Sequence, residues 1–422
     1  MGLSPRSLAR ASSRRPWRTI GIWVLALVAS GLLSSRLLGG ALTTDVDLLN
    51  NPEAKQAQKL LEERMRGPAR ATEMVIVSSP SATVDDPAFR DHVERLRDAL
   101  VGLGPDVVVG TQTYYDSGDQ DLVSPDRRTT LVPTTLAGPK FEANEHIPEV
   151  REVIAHHPAP GFEVEVFGPA SLSEDFNTVA EEDLAKGESI GILAALVILV
   201  VVFGAVVAAV VPVVVALVAI AVAVGLVALV GQAFSFSFFV TNMVTMMGLA
   251  VGIDYSLFIV SRYREERRRG RDKLAAIEAA GGTASRAVLF SGLTVVLALV
   301  GMLIVPNNIF RSVAAGAIFV VVAALAASLT VLPAVLGLLG DRVNGLRVRR
   351  RAGEPRPWGF WDRTTLTVMR RPVVALVIGA GLLLAAAASA FDMRTGFSGV
   401  TTVPDDLASK QGFEVLARDF PG

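Results

Sequence analysis

Residues 248–258 read GLAVGIDYSLF and place an acid, Asp254, within an apolar run that extends from Phe238 to Ser261. At ~1.5 Å per residue, such a run is long enough to cross the ~30 Å of hydrocarbon in a bilayer. A charge there is costly, so an ionisable residue in such a helix is by default a functional position, usually on an ion or proton pathway. Asp254 stands seven residues before Ser261, which puts it about 10 Å inside the helix end. Removal from water favours the neutral acid, so Asp254 is expected to take up and release a proton. Gly248, Ala250 and Gly252 give the helix a small-residue face that a neighbour can approach closely. Tyr255 can supply a phenolic hydrogen bond, and Phe258 lies one turn beyond. The competing reading ends the helix at Ile253 and leaves Asp254 at a wet boundary. Against it, Leu257, Phe258, Ile259 and Val260 continue the apolar run, and arginines begin only at Arg262.

Six further apolar runs have spanning length: Thr19–Leu38, Ile190–Ala208, Val210–Val230, Ala287–Val305, Val313–Leu339 and Val373–Phe391. The second and third of the seven are split at Gly204–Pro212, because an unbroken run would overshoot any bilayer. No other span carries a central charge, though Ser291 and Thr294 could hydrogen-bond to the relay or to their own helix. The first run has a basic start but no clean small-residue cleavage site, so it reads as a retained anchor. The chain of 422 residues is 51% hydrophobic with a mean hydropathy of +0.46, as expected for a multi-span membrane protein with one sizeable polar domain. A net charge of −1 favours no nucleic-acid partner, and the absence of cysteine excludes disulfides and Cys-based metal or redox sites.

Arginine placement sets the expected orientation. Arg6, Arg10, Arg14, Arg15 and Arg18 precede the first span, Arg262 to Lys273 follow the fourth, and a basic stretch runs from Arg342 to Arg371. The alternate loops hold only Arg311. The N-terminus is therefore expected in the cytoplasm, and these arginines read as topology signals rather than binding sites.

Ala41–Gly187 carries 27 acidic and 13 basic side chains and is expected outside. Its pattern gives strand Glu73–Ser79, helix Asp86–Leu103, strands Val107–Thr111 and Thr129–Thr135, helix Glu142–His157 and strand Gly161–Gly168. A last helix then runs from Ser171 towards the second span. Pro87 after Asp86 marks a helix start. The order βαββαβ suggests a ferredoxin-like split motif. The sequence thus divides into a basic tail (1–18), a first span (19–40), an α+β domain (41–187) and five clustered spans (188–340). A basic loop (341–372), a seventh span (373–391) and a closing segment (392–422) complete it.

That closing segment echoes the start. TDVDLLNNPEAKQAQKLLEERMR (44–66) follows the first span, and TGFSGVTTVPDDLASKQGFEVLAR (395–418) follows the seventh; both pass from a polar linker to an amphipathic helix. The echo implies that a six-span unit begins again near Val373, as in tandem-repeat transporters, and that the chain is a fragment.

The pattern GxxxGxDYxxF, followed by SRYREE and a basic loop, resembles the MMPL branch of the RND (resistance–nodulation–division) superfamily of bacterial exporters. The resemblance covers essentially the whole chain. It implies an α-helical polytopic plasma-membrane protein whose ferredoxin-like extracytoplasmic domain is a porter domain. It also implies export of lipids or other hydrophobic compounds, driven by the proton-motive force. Asp254 and Tyr255 become the proton relay, with Gly248, Gly252, Phe258 and Ser291 around them. A second half with its own Asp-Tyr pair in the tenth of about twelve spans, or a second copy, is the implied partner. No cofactor or metal is implied, and the reading is not enzymatic. Two alternatives stand beside it: a sterol- or lipid-sensing membrane protein, and an auxiliary translocation factor of the SecD/SecF kind.

Other motifs carry less. No P-loop pattern occurs. Gly187–Gly191 matches the G-x-S-x-G of hydrolases, but it lies where a helix enters the membrane and no histidine follows it. His92, His146, His156 and His157 are expected in solvent. Phe234, Phe236, Phe238 and Phe239 read as interfacial anchors. Asp272–Ala280 reads as an amphipathic helix lying on the cytoplasmic surface.

Overall fold

The computed structural model describes residues 4–43, 48–67, 69–138, 143–346, 360–393 and 404–421. Residues 44–47 and 394–403, in the linkers of the internal echo, and residues 347–359 of the second basic loop lie outside these residues. Helix α1 (Pro5–Arg14) leads into α2 (Pro16–Ala41), a two-residue strand β1 (Leu42–Thr43) and α3 (Glu53–Leu61). An α/β domain follows, of β2 (Thr72–Ser78), α4 (Pro87–Val101), β3 (Val108–Thr111), the single turn α5 (Tyr114–Ser117), β4 (Thr129–Leu136), α6 (Ile147–His156) and β5 (Glu163–Phe167). Next come α7 (Pro169–Phe203), α8 (Val206–Val230), β6 (Phe236–Ser237), α9 (Phe239–Arg268), α10 (Lys273–Gly282), α11 (Ala284–Met302) and α12 (Asn308–Leu339). Helices α13 (Phe360–Arg370), α14 (Pro372–Ala388) and α15 (Ala408–Asp419) close the chain.

Among the described residues, seven helical stretches are long and apolar enough to cross a membrane, and they coincide in order with the seven expected spans. Their boundaries differ by several residues at most ends, and two of the differences change the picture. The second span is the lower part of α7, one continuous helix of 35 residues, so the boundary expected at residues 187–188 falls inside a helix. The break before α8 is made by Gly204, whose φ of +64° ends α7, while Pro212 lies within α8.

The sheet is antiparallel, in the order β3-β4-β2-β5. Val75 pairs with both Val132 and Val166, so one face carries a row of valines. Beneath them lie Phe89, Val93, Leu96 and Leu100 of α4 and Ile147 and Val150 of α6. The alternate positions look the other way, and α15 docks there. Phe413 packs on Phe167 at 5.3 Å between ring centroids, and the Thr129 hydroxyl donates to Asp419 at 2.6 Å. Asp175 accepts from the Ser409 N–H at 3.0 Å and from Arg151 at 2.7 Å.

Several expectations need correction. The N-terminal segment is a helix rather than a tail: Ala9 packs on Gly281 and Ser13 on Gly337, and Arg10 pairs with Glu278 at 2.9 Å. Helix α10 therefore buries Ile277 and Ala280 in a protein core instead of facing lipid. Phe236 is likewise interior, on a strand paired with β1. His92 is only 2% exposed, set against Phe162 at 4.8 Å with its Nε2 lacking a partner.

Burial, with Arg95 and His157 nearby, holds the His92 pKa below 6.5. The unfolded chain then binds a proton at this residue that the folded chain does not, so stability falls as pH drops below about 6.5. The thermal midpoint is expected to be lower at pH 5 than at pH 7.5, and His92→Phe should flatten part of that slope. An unchanged slope would contradict the assignment.

Glu73 ties the domain to α7. Fully buried on β2, it accepts from the N–H groups of Ala170 at 2.7 Å and Ser171 at 3.1 Å, in the first turn of α7. The positive end of the helix suits a carboxylate. Gly168 leaves it room, since a Cβ there would stand 2.4 Å from Glu73 Oε1. Glu73→Gln is expected to cost about 1.5–3 kcal/mol, read as a lowered midpoint in thermal unfolding; an unchanged midpoint would show that the cap is dispensable.

Candidate functional site

Helix α9 packs against α8 and α12 with almost no space between backbones. A Cβ on Gly248 would stand 2.3 Å from Ile220 and 2.8 Å from Val320, and one on Gly252 would stand 2.7 Å from Ala216. Ser256 and Ser328, both buried, bring α9 and α12 within 3.4 Å through their hydroxyls. Of the expected small-residue face, Gly248 and Gly252 set the depth of α9 in the bundle, whereas Ala250 is exposed and lines the other side of the helix.

Successive residues on a helix are turned by ~100°, so Asp254 and Tyr255 diverge. Tyr255 faces inward at 8% exposure, with the Ser291 side chain of α11 close to its hydroxyl. Asp254 is not buried as the sequence suggested: it is exposed and faces a groove of about 720 Å³ between α7 and α9. Ile192 and Ala195 line it from α7, Met246, Leu249 and Ile253 from α9, and its polar groups include Asp183 and Glu188. Phe258, on the Asp254 side one turn further, is 62% exposed and does not close over the acid. Thr294 bonds back to the Phe290 carbonyl at 2.9 Å, leaving Ser291 as the hydroxyl that meets the pair.

The Arg-rich end of α9 does more than carry charge. Arg264 donates to the Phe203 carbonyl at 2.8 Å and to Asn344 at 2.9 Å, tying α9 to the end of α7 and to the turn after α12. Glu266, 1% exposed, lies among Arg262 at 2.7 Å, Arg271 at 2.9 Å and Arg269 at 3.1 Å. Neither this knot nor the groove carboxylates emerged from the sequence. The glutamate inside SRYREERRRGR was the available signal for the first. Glu188, two residues before an apolar run, was the signal for the second. The Gly187–Gly191 segment lies in the middle of α7, not on a strand–turn–helix elbow. Among the described residues, no cluster of three or more His, Asp or Glu side chains has the geometry of a metal site.

Fold and site together define a multi-span membrane protein with an acid–tyrosine pair set in its helix bundle. The sequence profile of the MMPL family matches residues 49–375, and the chain belongs to that family, within the RND superfamily. It is 33% identical over 93% of its length to the mycolic acid-containing lipids exporter MmpL11 of Mycolicibacterium smegmatis, covering 41% of that protein. It is 27% identical over 96% of its length to the trehalose monomycolate exporter MmpL3 of the same organism, covering 43% of it. A shorter match, 37% identical over 55% of the chain and 24% of the relative, is to the heme uptake protein MmpL11 of Mycobacterium tuberculosis. Among solved structures, a SecDF crystal structure matches 77% of the chain with a TM-score of 0.37 and 13% identity, covering 38% of that chain. The chain thus spans about two fifths of the length of the MmpL11 and MmpL3 relatives from M. smegmatis.

Gly252→Val should force α8 and α9 apart, and overpacking of this kind costs about 1–3 kcal/mol or more. The expected result is a lower thermal midpoint and reduced yield of monodisperse protein in detergent. Gly301→Ala on α11, where an added Cβ meets nothing within 4 Å, should behave as wild type and serves as the control.

Proposed function

We propose that this chain supplies the first six-span unit, and the start of the next, of a proton-driven exporter of lipids in a bacterial plasma membrane. The observation that carries the reading is Asp254: a carboxyl on an apolar helix, beside a buried tyrosine and opening on a groove. A proton there neutralises a charge on an apolar helix, so binding and release would favour different packings of α9 against its neighbours. One charge moved through 100 mV supplies ~2.3 kcal/mol, enough to bias a two-state arrangement of helices. The lipid class comes from the two relatives that are named as exporters of mycolic acid-containing lipids and of trehalose monomycolate.

In this reading the α/β domain is the porter domain, outside the cell. Its strand order, with the first strand central between the third and fourth, is that of the ferredoxin-like split motif. The arginines at the far end of α9 then lie in the cytoplasm, with the N-terminus. The partner of Asp254 and Tyr255 is an equivalent pair in a second six-span half. Proteoliposomes holding the chain with that half, loaded with a fluorescent lipid, should move lipid when a pH gradient is imposed. Asp254→Asn should abolish the movement while insertion is retained; lipid movement of wild-type size in the variant would sink the proposal.

A further inference from the structure

The groove beside Asp254 continues along α7, and its far part is lined by two more carboxylates, Asp183 and Glu188. Helices α7 and α9 run in the same direction, and the bond from Arg264 to the Phe203 carbonyl fixes their relative height. Counting back from that bond at ~1.5 Å per residue, Asp254 stands about 15 Å up α9, Glu188 about 22 Å up α7 and Asp183 about 30 Å up α7. The three residues therefore stand at heights about 7–8 Å apart along the helix axes. No lysine or arginine lines it, and Lys186, two residues before Glu188, is held by Glu182 at 3.1 Å.

Glu188 differs from Asp183 in its surroundings. Asp183 is exposed at the mouth, whereas Glu188 is partly buried and its Oε1 is shielded from solvent without a hydrogen-bond partner. An oxygen held in that way is costly, and a proton on the carboxyl lowers the cost. Space for water lies beside the carboxyl. Gly187, Gly191 and Ala195 follow one stripe of α7, and a Cβ at either glycine would meet nothing within 4 Å, so packing does not require glycine there. At ~30 Å³ per molecule in the liquid, a groove of about 720 Å³ has the volume for a chain of waters, which only the carboxyls would anchor because Ile192, Ala195, Leu249 and Ile253 make the wall between them apolar.

We propose that Glu188 is the outer proton station of this protein, receiving protons at the groove mouth and passing them through groove water to Asp254. The inference rests on the reading of Asp254 as a proton relay. In the step, a proton from external water adds to the Glu188 carboxylate. The acid then releases it to groove water, from which it reaches the Asp254 carboxylate, and Glu188 returns to its ionised form. No electrons move. Asp183 at the mouth keeps the local potential negative and attracts protons towards Glu188.

The test uses the full chain in proteoliposomes with the α/β domain outwards. After a rapid acid jump outside, the carboxyl C=O band of protonated Asp254 is followed by time-resolved infrared difference spectroscopy and assigned by its absence in Asp254→Asn. Glu188→Gln should slow the rise of that band about tenfold or more without changing its final height, and Glu188→Asp should restore most of the rate. An unchanged rate in Glu188→Gln overturns the proposal and leaves the relay intact. No Asp254 band in the wild-type chain overturns the relay reading itself, and the Glu188 station with it.

Discussion

The membrane half depends on one constraint, the closeness with which α9 approaches α8 and α12. That approach exists because Gly248 and Gly252 have no side chains, and the atoms opposite them leave no room for any. Once α9 is seated so deeply, helical geometry decides the rest. Tyr255 is turned into the bundle, where it meets Ser291, while Asp254 is turned a fifth of a circle or more away, to the groove. An acid and its phenolic neighbour thus share one helix yet experience different surroundings. The close packing keeps that difference fixed, because interdigitated interiors shift between discrete arrangements rather than deforming smoothly.

Helix α7 links this site to the α/β domain. It is capped at one end by Glu73 of the central strand and tied at the other by Arg264 of α9, and between these points it forms one wall of the groove. The helix that lines the groove beside α9 is thus also the helix whose first turn the domain caps. The docking of α15 on the same sheet adds a second attachment, through Asp175 on α7 itself. Helix α7 thus touches the domain, the groove and the Arg-rich end.

The spans and the acid–tyrosine pair were legible because both depend on local composition: some twenty apolar residues make a span whatever packs around them, and an acid inside one stands out. The strands of the domain were legible for the same reason, through their alternation. What was not legible depends on tertiary partners. Helix α1 is short and arginine-rich, and only the facing Gly281 and Gly337 turn its small residues into a packing surface. His92 was placed in solvent although Phe89, Val93 and Leu96 surround it on the buried face of α4, a spacing that would have signalled its burial. The direction in which Asp254 points could not be read at all, since it follows from which neighbour α9 presses against.

The central claim is that Asp254 changes protonation within the membrane. The most direct measurement is its modification by a lipid-soluble carbodiimide, which reacts with protonated carboxyls, followed by mass spectrometry across a pH series. Modification of Asp254 that is strong at acid pH and fades as pH rises is the predicted result. An Asp254 that stays unreactive at every pH, while the protein remains folded, would contradict the account.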